Sequence, residues 1–257
     1  MAGPQLNYGN WVRKRILLVL GFATLAVGAL EHVPAGVVYH VSVTIVFALL
    51  LLTFLFPLYA YFMFSENGGR FQAKLYDCIV QRLGTDRIGK YLDIGSGNGV
   101  LTVSLAMHNP KAAVVGVDFW GPDWEYSKAN CEQNARLAKV TDRVQFQQGD
   151  AASLQFAAAT FDGAVSNLTF HEVRSVANKR KVLEEALRVI KPRGSFTFVD
   201  YFLESRYYGA PVEFREYLAK LGLAEVQFTP LHEVLPVPVL LRHPKIFGKV
   251  AVLSGRK

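Results

Sequence analysis

The stretch "YLDIGSGNG", residues 91–99, decides the fold of this chain. A short apolar run ends at the acid Asp93, and glycines follow at every second position from residue 95 to residue 99. Glycine permits the backbone conformations of a tight turn and lets a ligand approach the main chain closely. The stretch therefore predicts a strand, a ligand-binding loop and a helix that begins near residue 100.

The spacing of these glycines argues against two common nucleotide sites. The dinucleotide fingerprint is G-x-G-x-x-G, whereas here the third glycine comes one residue early, between Asn98 and Val100. The phosphate-binding pattern G-x-x-x-x-G-K-[ST] does not occur in the sequence. NAD and ATP are therefore disfavoured as ligands of this loop.

Downstream of the loop, predicted strands and helices alternate. Strands are predicted at 91–94, 112–118, 143–150, 161–168, 194–202, 224–231 and 248–256, and helices at 100–108, 124–138, 179–190 and 212–223. Such alternation predicts an α/β fold, a parallel sheet covered by helices on both faces. Only a loop joins the last two strands, so we expect this pair to be antiparallel.

Several motifs in this order resemble the class I S-adenosylmethionine-dependent methyltransferases. They are the pattern D-x-G-x-G-x-G and the segments "VVGVDFW", "QQGDA", "FDGAVSNLTFHEV" and "LRVIKPRGSFTFVD". The resemblance covers about residues 71–257 and is strongest to the small-molecule branch. It implies a Rossmann-like, seven-stranded methyltransferase sheet that binds S-adenosyl-L-methionine.

The resemblance also implies roles for individual residues. Asp93 would hold the amino group of the cofactor, Asp118 its ribose hydroxyls and Asp150 its adenine amino group. A carboxylate suits the ribose because it accepts from two adjacent hydroxyls at once. The implied cofactor residues are Asp93, Gly95, Ser96, Gly97, Asn98, Gly99, Asp118, Phe119, Asp150, Ala151 and Asn167. No metal site is expected, since Cys78 and Cys131 form no CxxC pattern.

His171 is the candidate catalytic residue. It follows the fourth predicted strand, and a neutral imidazole can take a proton from a hydroxyl, phenol, thiol or acidic carbon. The alternative is that it caps a helix or holds a loop. Glu172 is interpreted as a solvated acid, and Tyr201 either lines the acceptor site or lies in the core. Residues 167–170 lack the prolines of [DN]-P-P-[YFW], which disfavours adenine and protein glutamine as acceptors.

Two uncharged apolar segments, at about 16–30 and 37–64, precede the α/β region. The second exceeds the roughly 20 residues that a membrane span requires. Basic residues at 13–15 flank the first segment, whereas the turn at 31–36 has no Lys or Arg, which places both ends in the cytoplasm. The alternatives are a signal peptide followed by one span, and a buried or monotopic helix pair.

We therefore expect a membrane hairpin over residues 1–64, a linker over 65–70 and a methyltransferase domain over 71–257. The protein would be a multi-pass membrane protein with a cytoplasmic catalytic domain. A net charge of +7 and 51% hydrophobic residues, without a dense basic run, favour a membrane over nucleic acid as partner.

The expected acceptor is a lipophilic small molecule or a lipid, because a membrane tether raises its local concentration. The long connection at 230–248 places the apolar run 234–241 before Arg242, His243 and Lys245, a pattern typical of a segment that enters an anionic interface. It would otherwise cover the sheet or pack on the N-terminal helices. Two other functions stay open, a cofactor-binding regulatory protein without turnover and a methyltransferase of a soluble or protein acceptor.

Overall fold

The computed structural model describes residues 6–84, 88–121 and 126–257 of the chain. These residues form two compact units. One unit holds Gly9–Ala73, and the other holds Lys74–Lys257 together with the segment that ends at Tyr8. We call them the hairpin unit and the sheet unit.

The hairpin unit contains two long helices, α1 (Lys14–Ala29) and α2 (Val37–Phe64), with a short 3-10 turn at Leu30–His32 between them. The predicted segment 37–64 is confirmed as a helix to the residue, and α2 continues through Pro57. Both helices are long and apolar enough to cross a membrane, and only 6% of each apolar window is buried. Length and composition are therefore compatible with a lipid environment for this unit.

A polar contact ties the two helices together at the turn. The carboxylate of Glu31 accepts a hydrogen bond from Thr44 Oγ1 at 2.7 Å, and its other oxygen lies 3.2 Å from His40 Nδ1. Tyr39 also donates its hydroxyl to the carbonyl of Leu30 at 3.2 Å. These side chains of α2 pair with the end of the preceding helix, so they hold the two helices in a defined register.

The sheet unit is built on seven strands. Their bounds are β1 (Gly89–Ile94), β2 (Ala112–Asp118), β3 (Val144–Gln148), β4 (Phe161–Asn167), β5 (Ile190–Asp200), β6 (Glu225–Pro230) and β7 (Ala251–Arg256). The strand order is β3-β2-β1-β4-β5-β7-β6. The seven-stranded α/β class is confirmed. The antiparallel pairing expected for the last two strands is confirmed, since β7 runs antiparallel to β6, and β7 also runs antiparallel to β5.

The remaining helices precede β1 or connect the strands. They are α3 (Phe71–Leu83), α4 (Val100–His108), α5 (Lys128–Leu137), α6 (Arg180–Arg188), α7 (Ser205–Tyr208), α8 (Pro211–Lys220) and α9 (Leu231–Val234). The predicted helix 124–138 begins later, at Lys128, because Ser127 caps it by accepting from the Asn130 N–H at 3.2 Å. Residues 124 and 125 of that prediction lie outside the described ranges.

The predicted boundary between α6 and β5 is also wrong. Helix α6 ends at Arg188, and β5 begins at Ile190 and takes in the "KPRG" segment. The carbonyl of Val189 accepts hydrogen bonds from the backbone N–H groups of Thr160 and Phe161, so this residue is bonded to the start of β4. An apolar pattern alone cannot separate a helix end from a strand that follows it directly.

The core lies around the central strands. Leu92, Phe161 and Phe198 are fully buried, as expected for strands covered on both faces. Helix α6 presents a stripe to the same core through Val182, Leu183, Ala186 and Leu187, which follow helical spacing. Each buried Leu or Phe side chain contributes about 1.5–3 kcal/mol relative to an exposed one.

The strand order determines where a ligand site can form. Strand β1 pairs in parallel with β2 on one side and with β4 on the other. The carboxyl ends of these three strands therefore meet at one sheet edge, and ligands of open α/β sheets bind at such an edge. The glycine loop leaves this edge from the middle strand.

Candidate functional site

The glycine loop between β1 and α4 needs glycine for two different reasons. Gly95, Gly97 and Gly99 all have positive φ, at +79°, +55° and +75°. A Cβ on Gly95 would overlap the side chain of Thr169, and one on Gly99 would lie 2.8 Å from the Phe146 ring. By contrast, a Cβ on Gly97 would meet nothing closer than 3.5 Å. Gly95 and Gly99 thus allow close packing, whereas Gly97 serves through its positive φ.

Asp93 is a buried carboxyl with one oxygen to spare. Thr102 donates its hydroxyl to Asp93 Oδ2 at 2.6 Å, and Oδ1 has no hydrogen-bond partner among the described residues. Burial raises the pKa of Asp93 to about 7, the hydrogen bond from Thr102 lowers it, and the nearby charge of Asp118 raises it further. A buried carboxylate with a free acceptor position suits a cationic group such as an amine.

Asp118 fastens the end of β2 to the glycine loop. Its Oδ2 accepts from the Gly97 N–H at 2.8 Å and its Oδ1 from the Trp120 N–H at 2.8 Å. The indole of Trp120 donates in turn to the carbonyl of Gly97 at 2.9 Å. Burial raises the pKa of Asp118, and the backbone N–H groups oppose this. Each carboxylate oxygen retains a second lone pair that can accept from a ligand hydroxyl.

Ser96 and Asn98, the polar residues of the loop, are both buried. The hydroxyl oxygen of Ser96 has no partner among the described side chains and backbone groups. Asn98 binds helix α5, since its Oδ1 accepts from Asn130 at 3.2 Å and its carbonyl from Asn134 at 2.9 Å. Asn98 therefore holds the loop to the next helix, and Ser96 is the loop side chain with unused hydrogen-bonding capacity.

The next strand end brings in the remaining residues of the predicted cofactor set. The Gly149 N–H donates to the carbonyl of Asp118 at 3.0 Å, which joins the ends of β3 and β2. Asp150 accepts from the Ala152 N–H at 2.8 Å, and Ala151 beside it is buried. Phe119 is 65% exposed, so an aromatic ring stands free at this edge.

Asn167 is the last residue of β4 and lies beside Tyr76, a residue that the sequence analysis did not identify. Its Oδ1 is buried without a hydrogen-bond partner among the described residues. Burial raises the pKa of Tyr76 well above its usual value, as do the neighbouring Tyr126 and Asp93, whereas a side-chain hydrogen bond with Asn167 lowers it. The ring of Tyr8 stacks on that of Tyr76 with centroids 5.9 Å apart. Tyr76 of α3 therefore adjoins Asp93, and Tyr8 of the N-terminal segment packs on Tyr76.

His171 lies in a 3-10 turn, Phe170–Glu172, directly after β4. Its Nδ1 lies 2.9 Å from Asp200 Oδ1, and Asp200, at the end of β5, is only 1% exposed. On the other side, Nε2 lies 3.4 Å from Glu172 Oε1. Burial lowers the pKa of His171, but the charges and hydrogen bonds of Asp200 and Glu172 outweigh it and raise the pKa to about 9. The ring is therefore mainly imidazolium at pH 7.

Aromatic side chains surround this histidine. The Tyr201 ring meets the imidazole edge to face at 4.7 Å, and the Tyr207 ring lies at 5.7 Å. Burial raises the pKa of Tyr201 to about 12, and the charge of Asp200 adds to this. The surroundings of His171 thus combine an acid–base pair with apolar ring surfaces, which suit a flat, weakly polar acceptor.

The two halves of the site adjoin each other. The Thr169 side chain lies against Gly95, and Thr169 is two residues from His171. Sequence reasoning missed the residues that act through tertiary contacts, which are Thr102, Trp120, Tyr76 and Asp200. Among the described residues, no group of three His, Cys, Asp or Glu side chains is placed to hold a metal ion.

Comparison with known proteins adds three findings. A family model described as "Methyltransferase domain" matches residues 86–226, which is more than half of the chain. The ubiquinone/menaquinone biosynthesis C-methyltransferase UbiE of Cereibacter sphaeroides is 31% identical over 112 residues. That alignment covers 44% of this chain and 42% of the relative, so this chain spans less than half of the relative's length.

Two solved structures share the fold. The [4+2]-cyclase SpnF has a TM-score of 0.53 at 19% identity, over 72% of this chain and 80% of its own. Geranyl diphosphate C-methyltransferase of Streptomyces coelicolor, solved with Mg²⁺, geranyl diphosphate and S-adenosyl-L-homocysteine, has a TM-score of 0.53 at 15% identity, over 74% and 80%. At such identities the likeness concerns the fold alone.

Proposed function

The chain belongs to the methyltransferase-domain family, and on this premise we propose that it transfers a methyl group from S-adenosylmethionine to a small lipophilic acceptor at a membrane. The observation that carries the proposal is the buried Asp93 carboxyl, whose Oδ1 is left without a partner among the described residues beneath a loop of glycines. A site of this kind fits a ligand that brings a cationic amine.

The residues present fit this cofactor. Asp93 would hold its amino group, Asp118 its ribose hydroxyls and Asp150 its adenine, with Phe119 exposed at the same edge. The other loop and strand-end residues of the predicted set, Gly95, Ser96, Gly97, Asn98, Gly99, Ala151 and Asn167, would line it. When bound, S-adenosylmethionine supplies a methyl group on a positively charged sulfur.

His171 would take the proton that the acceptor loses. Asp200 accepts the Nδ1 proton, because a carboxylate only accepts, and this leaves Nε2 as the nitrogen that exchanges a proton. Such a base acts in its neutral form. A high pKa makes the neutral histidine a stronger base but lowers the fraction of molecules that hold it neutral at pH 7. In this proposal Glu172, which faces Nε2, is the group that shares the proton in the resting state.

Two observations support a lipophilic acceptor. Tyr201 and Tyr207 present aromatic ring surfaces to His171, which suit a weakly polar acceptor. The chain also carries two helices suited to a bilayer, and the basic residues at 13–15 favour a cytoplasmic sheet unit. A phenol or quinol fits both observations, and the relative from Cereibacter sphaeroides is named for quinone biosynthesis.

The test uses the full chain in detergent or nanodiscs. Calorimetry with S-adenosylmethionine and S-adenosylhomocysteine measures cofactor binding, and transfer of a labelled methyl group is then followed to isoprenoid quinols, to water-soluble phenols and to proteins of a membrane extract. Binding with methylation of the lipophilic acceptors is expected. Absence of binding by folded protein overturns the cofactor assignment, and methylation of water-soluble acceptors alone overturns the lipophilic one.

A further inference from the structure

The segment between α9 and β7 presents two apolar side chains to solvent. Val239 is 77% exposed and Leu240 is 58% exposed, in a short 3-10 turn at Val239–Arg242. The flanking residues Val237 and Leu241 are buried. The buried side chains of Val237 and Leu241 therefore anchor the segment to the sheet unit, so the exposed side chains of Val239 and Leu240 lie on a fixed turn.

This pair differs from the other exposed apolar residues of the sheet unit. Among the described residues there, large exposed hydrophobic side chains otherwise occur singly, for example Met107 and Val212. Single exposed apolar residues are normal on a soluble surface, whereas adjacent ones at the end of an anchored turn indicate a contact surface.

Positive charge follows the apolar pair at once. Arg242, His243 and Lys245 are all exposed, and neither Arg242 nor Lys245 has an ion pair with any described residue. The Arg242 Nε donates to the carbonyl of Val237 at 2.9 Å, which fixes the base of its side chain. Between residues 231 and 249 the single acid is Glu233, 4.0 Å from His232. We call residues 239–245 the apolar–basic tip.

The tip adjoins the proposed acceptor residues. Tyr201 donates its hydroxyl to the backbone carbonyl of Lys245 at 3.4 Å, and the same tyrosine ring packs against His171. A surface that binds the tip would thus lie within one side chain of the histidine.

We propose that the apolar–basic tip binds an anionic phospholipid surface, with Val239 and Leu240 among the acyl chains and Arg242 and Lys245 on the acidic headgroups. Apolar side chains followed by basic ones match the layering of such an interface. This docking goes beyond the proposed function, because it holds whether or not the acceptor is itself a lipid. It adds to the hairpin a second contact, one that depends on lipid charge.

The experiment places an environment-sensitive fluorophore on the tip of the full chain in nanodiscs. The labelled variant is Leu240→Cys in a Cys78→Ser background, and Cys131 stays unlabelled because it is fully buried. The control carries the label at Val212→Cys, on α8, where the side chain is 68% exposed. Nanodiscs contain phosphatidylcholine with or without phosphatidylglycerol, and brominated acyl chains report contact with the bilayer interior.

A blue shift and bromine quenching at position 240 are expected in anionic nanodiscs, weaker in neutral ones and weaker in high salt, with no change at position 212. Lys245→Glu should reduce the shift, because it reverses a charge at the acidic headgroups. The residue is exposed and the hydrogen bond from Tyr201 goes to its backbone, so the fold should be kept. A label at 240 that stays in water on anionic nanodiscs overturns the proposal. So does one equally protected in detergent and in both lipids, because it then packs on the protein.

Discussion

His171 and Asp200 form a buried hydrogen-bonded pair, with Nδ1 2.9 Å from Oδ1, although 29 residues separate them in the chain. The pair follows from the sheet. Strands β4 and β5 are parallel neighbours in which Asn167 lies opposite Val199, so the residues just beyond these positions come together. Asp200 thereby controls the charge of the histidine that we propose as the base.

The first prediction concerns the pH dependence of turnover. Because the pKa of His171 is raised to about 9, kcat/KM should increase with pH and level off only above about pH 9. His171→Gln should reduce turnover by roughly 10²-fold or more with cofactor affinity unchanged. A histidine variant with near-normal turnover contradicts the role as base.

The stability that the His171–Asp200 pair gives the protein should fall with rising pH, whereas turnover should increase. A histidine whose pKa is raised on folding stabilises the protein fully below its unfolded value, near 6.5, and this contribution is lost as pH rises through about 9. The free energy of unfolding of wild type should therefore fall over this window in urea titrations. His171→Gln should lack this component, and equal slopes for both proteins would speak against the charged pair.

Asp200→Asn tests how the carboxylate acts. Removing the negative charge should lower the pKa of His171, so the rising limb of the pH profile should move to lower pH and the maximal rate should fall. The readout is the position of the limb, together with the histidine pKa measured by NMR. A uniform loss of rate with an unmoved limb would assign Asp200 a structural role only.

Asp93 predicts a pH-dependent cofactor affinity. Its pKa of about 7 means that the ionised form gains population as pH rises through neutrality, so affinity for S-adenosylhomocysteine should rise and then level off above about pH 7. Calorimetry in buffers of different ionisation enthalpy should show proton release below that pH. Asp93→Asn should weaken binding at least about tenfold and remove its pH dependence. The control Asp150→Asn should weaken binding but keep its pH dependence.

Two glycines of the loop should differ in their tolerance of a methyl group. Gly95→Ala combines a positive φ with an overlap on Thr169, whereas Gly97→Ala has the positive φ but only an ordinary van der Waals contact, 3.5 Å from the Tyr126 ring. The backbone cost is about 1–2 kcal/mol in each, and Gly95→Ala should lose more on top of it. Thermal melting ranks the two, and Gly95→Ala with Thr169→Gly should recover part of the difference. Equal losses would mean that the overlap relaxes freely.

Tyr8 should contribute to the affinity for a positively charged ligand. It stacks on Tyr76 beside Asp93, and Asn134 holds the backbone of Asn7 through hydrogen bonds of 2.7 and 3.0 Å. Tyr8→Leu should weaken the binding of S-adenosylmethionine roughly threefold to tenfold. It should weaken the binding of S-adenosylhomocysteine, whose sulfur is an uncharged thioether, by less. Tyr8→Phe, which keeps the ring, should preserve the ratio of the two affinities. A ratio unchanged in Tyr8→Leu contradicts the role.

The pattern of apolar residues predicted the helices and strands well where it stays the same along the whole element. The uncharged run of α2, the helix α4 and the strand β2 were predicted to the residue. Prediction failed where one element passes directly into another, as at Val189, because apolar residues continue across the boundary. The antiparallel pairing of β6 with β7 was expected from the loop that joins them, whereas the position of β7 between β5 and β6 depends on tertiary packing.

The site follows the same division. Asp93, Asp118 and the glycines are recognisable because their order along the chain carries the motif, and the structure joins them through the bond from Gly97 to Asp118. Asp200 and Tyr76 carry no such local signal. Asp200 is one acid at a strand end, and Tyr76 lies in a helix whose face toward the site depends on tertiary packing. Their part in the site is visible only once the sheet is assembled.

The insertion of β7 between β5 and β6 has a consequence for biosynthesis. A ribosome delivers β6 before the strand that is its neighbour in the sheet, so β6 cannot join the sheet until Ala251–Arg256 has emerged. The apolar helices α1 and α2 leave the exit tunnel long before that moment. The edge of β5 therefore stays open until the last strand has been made, and a stalled or prematurely ended translation product would carry that unpaired edge.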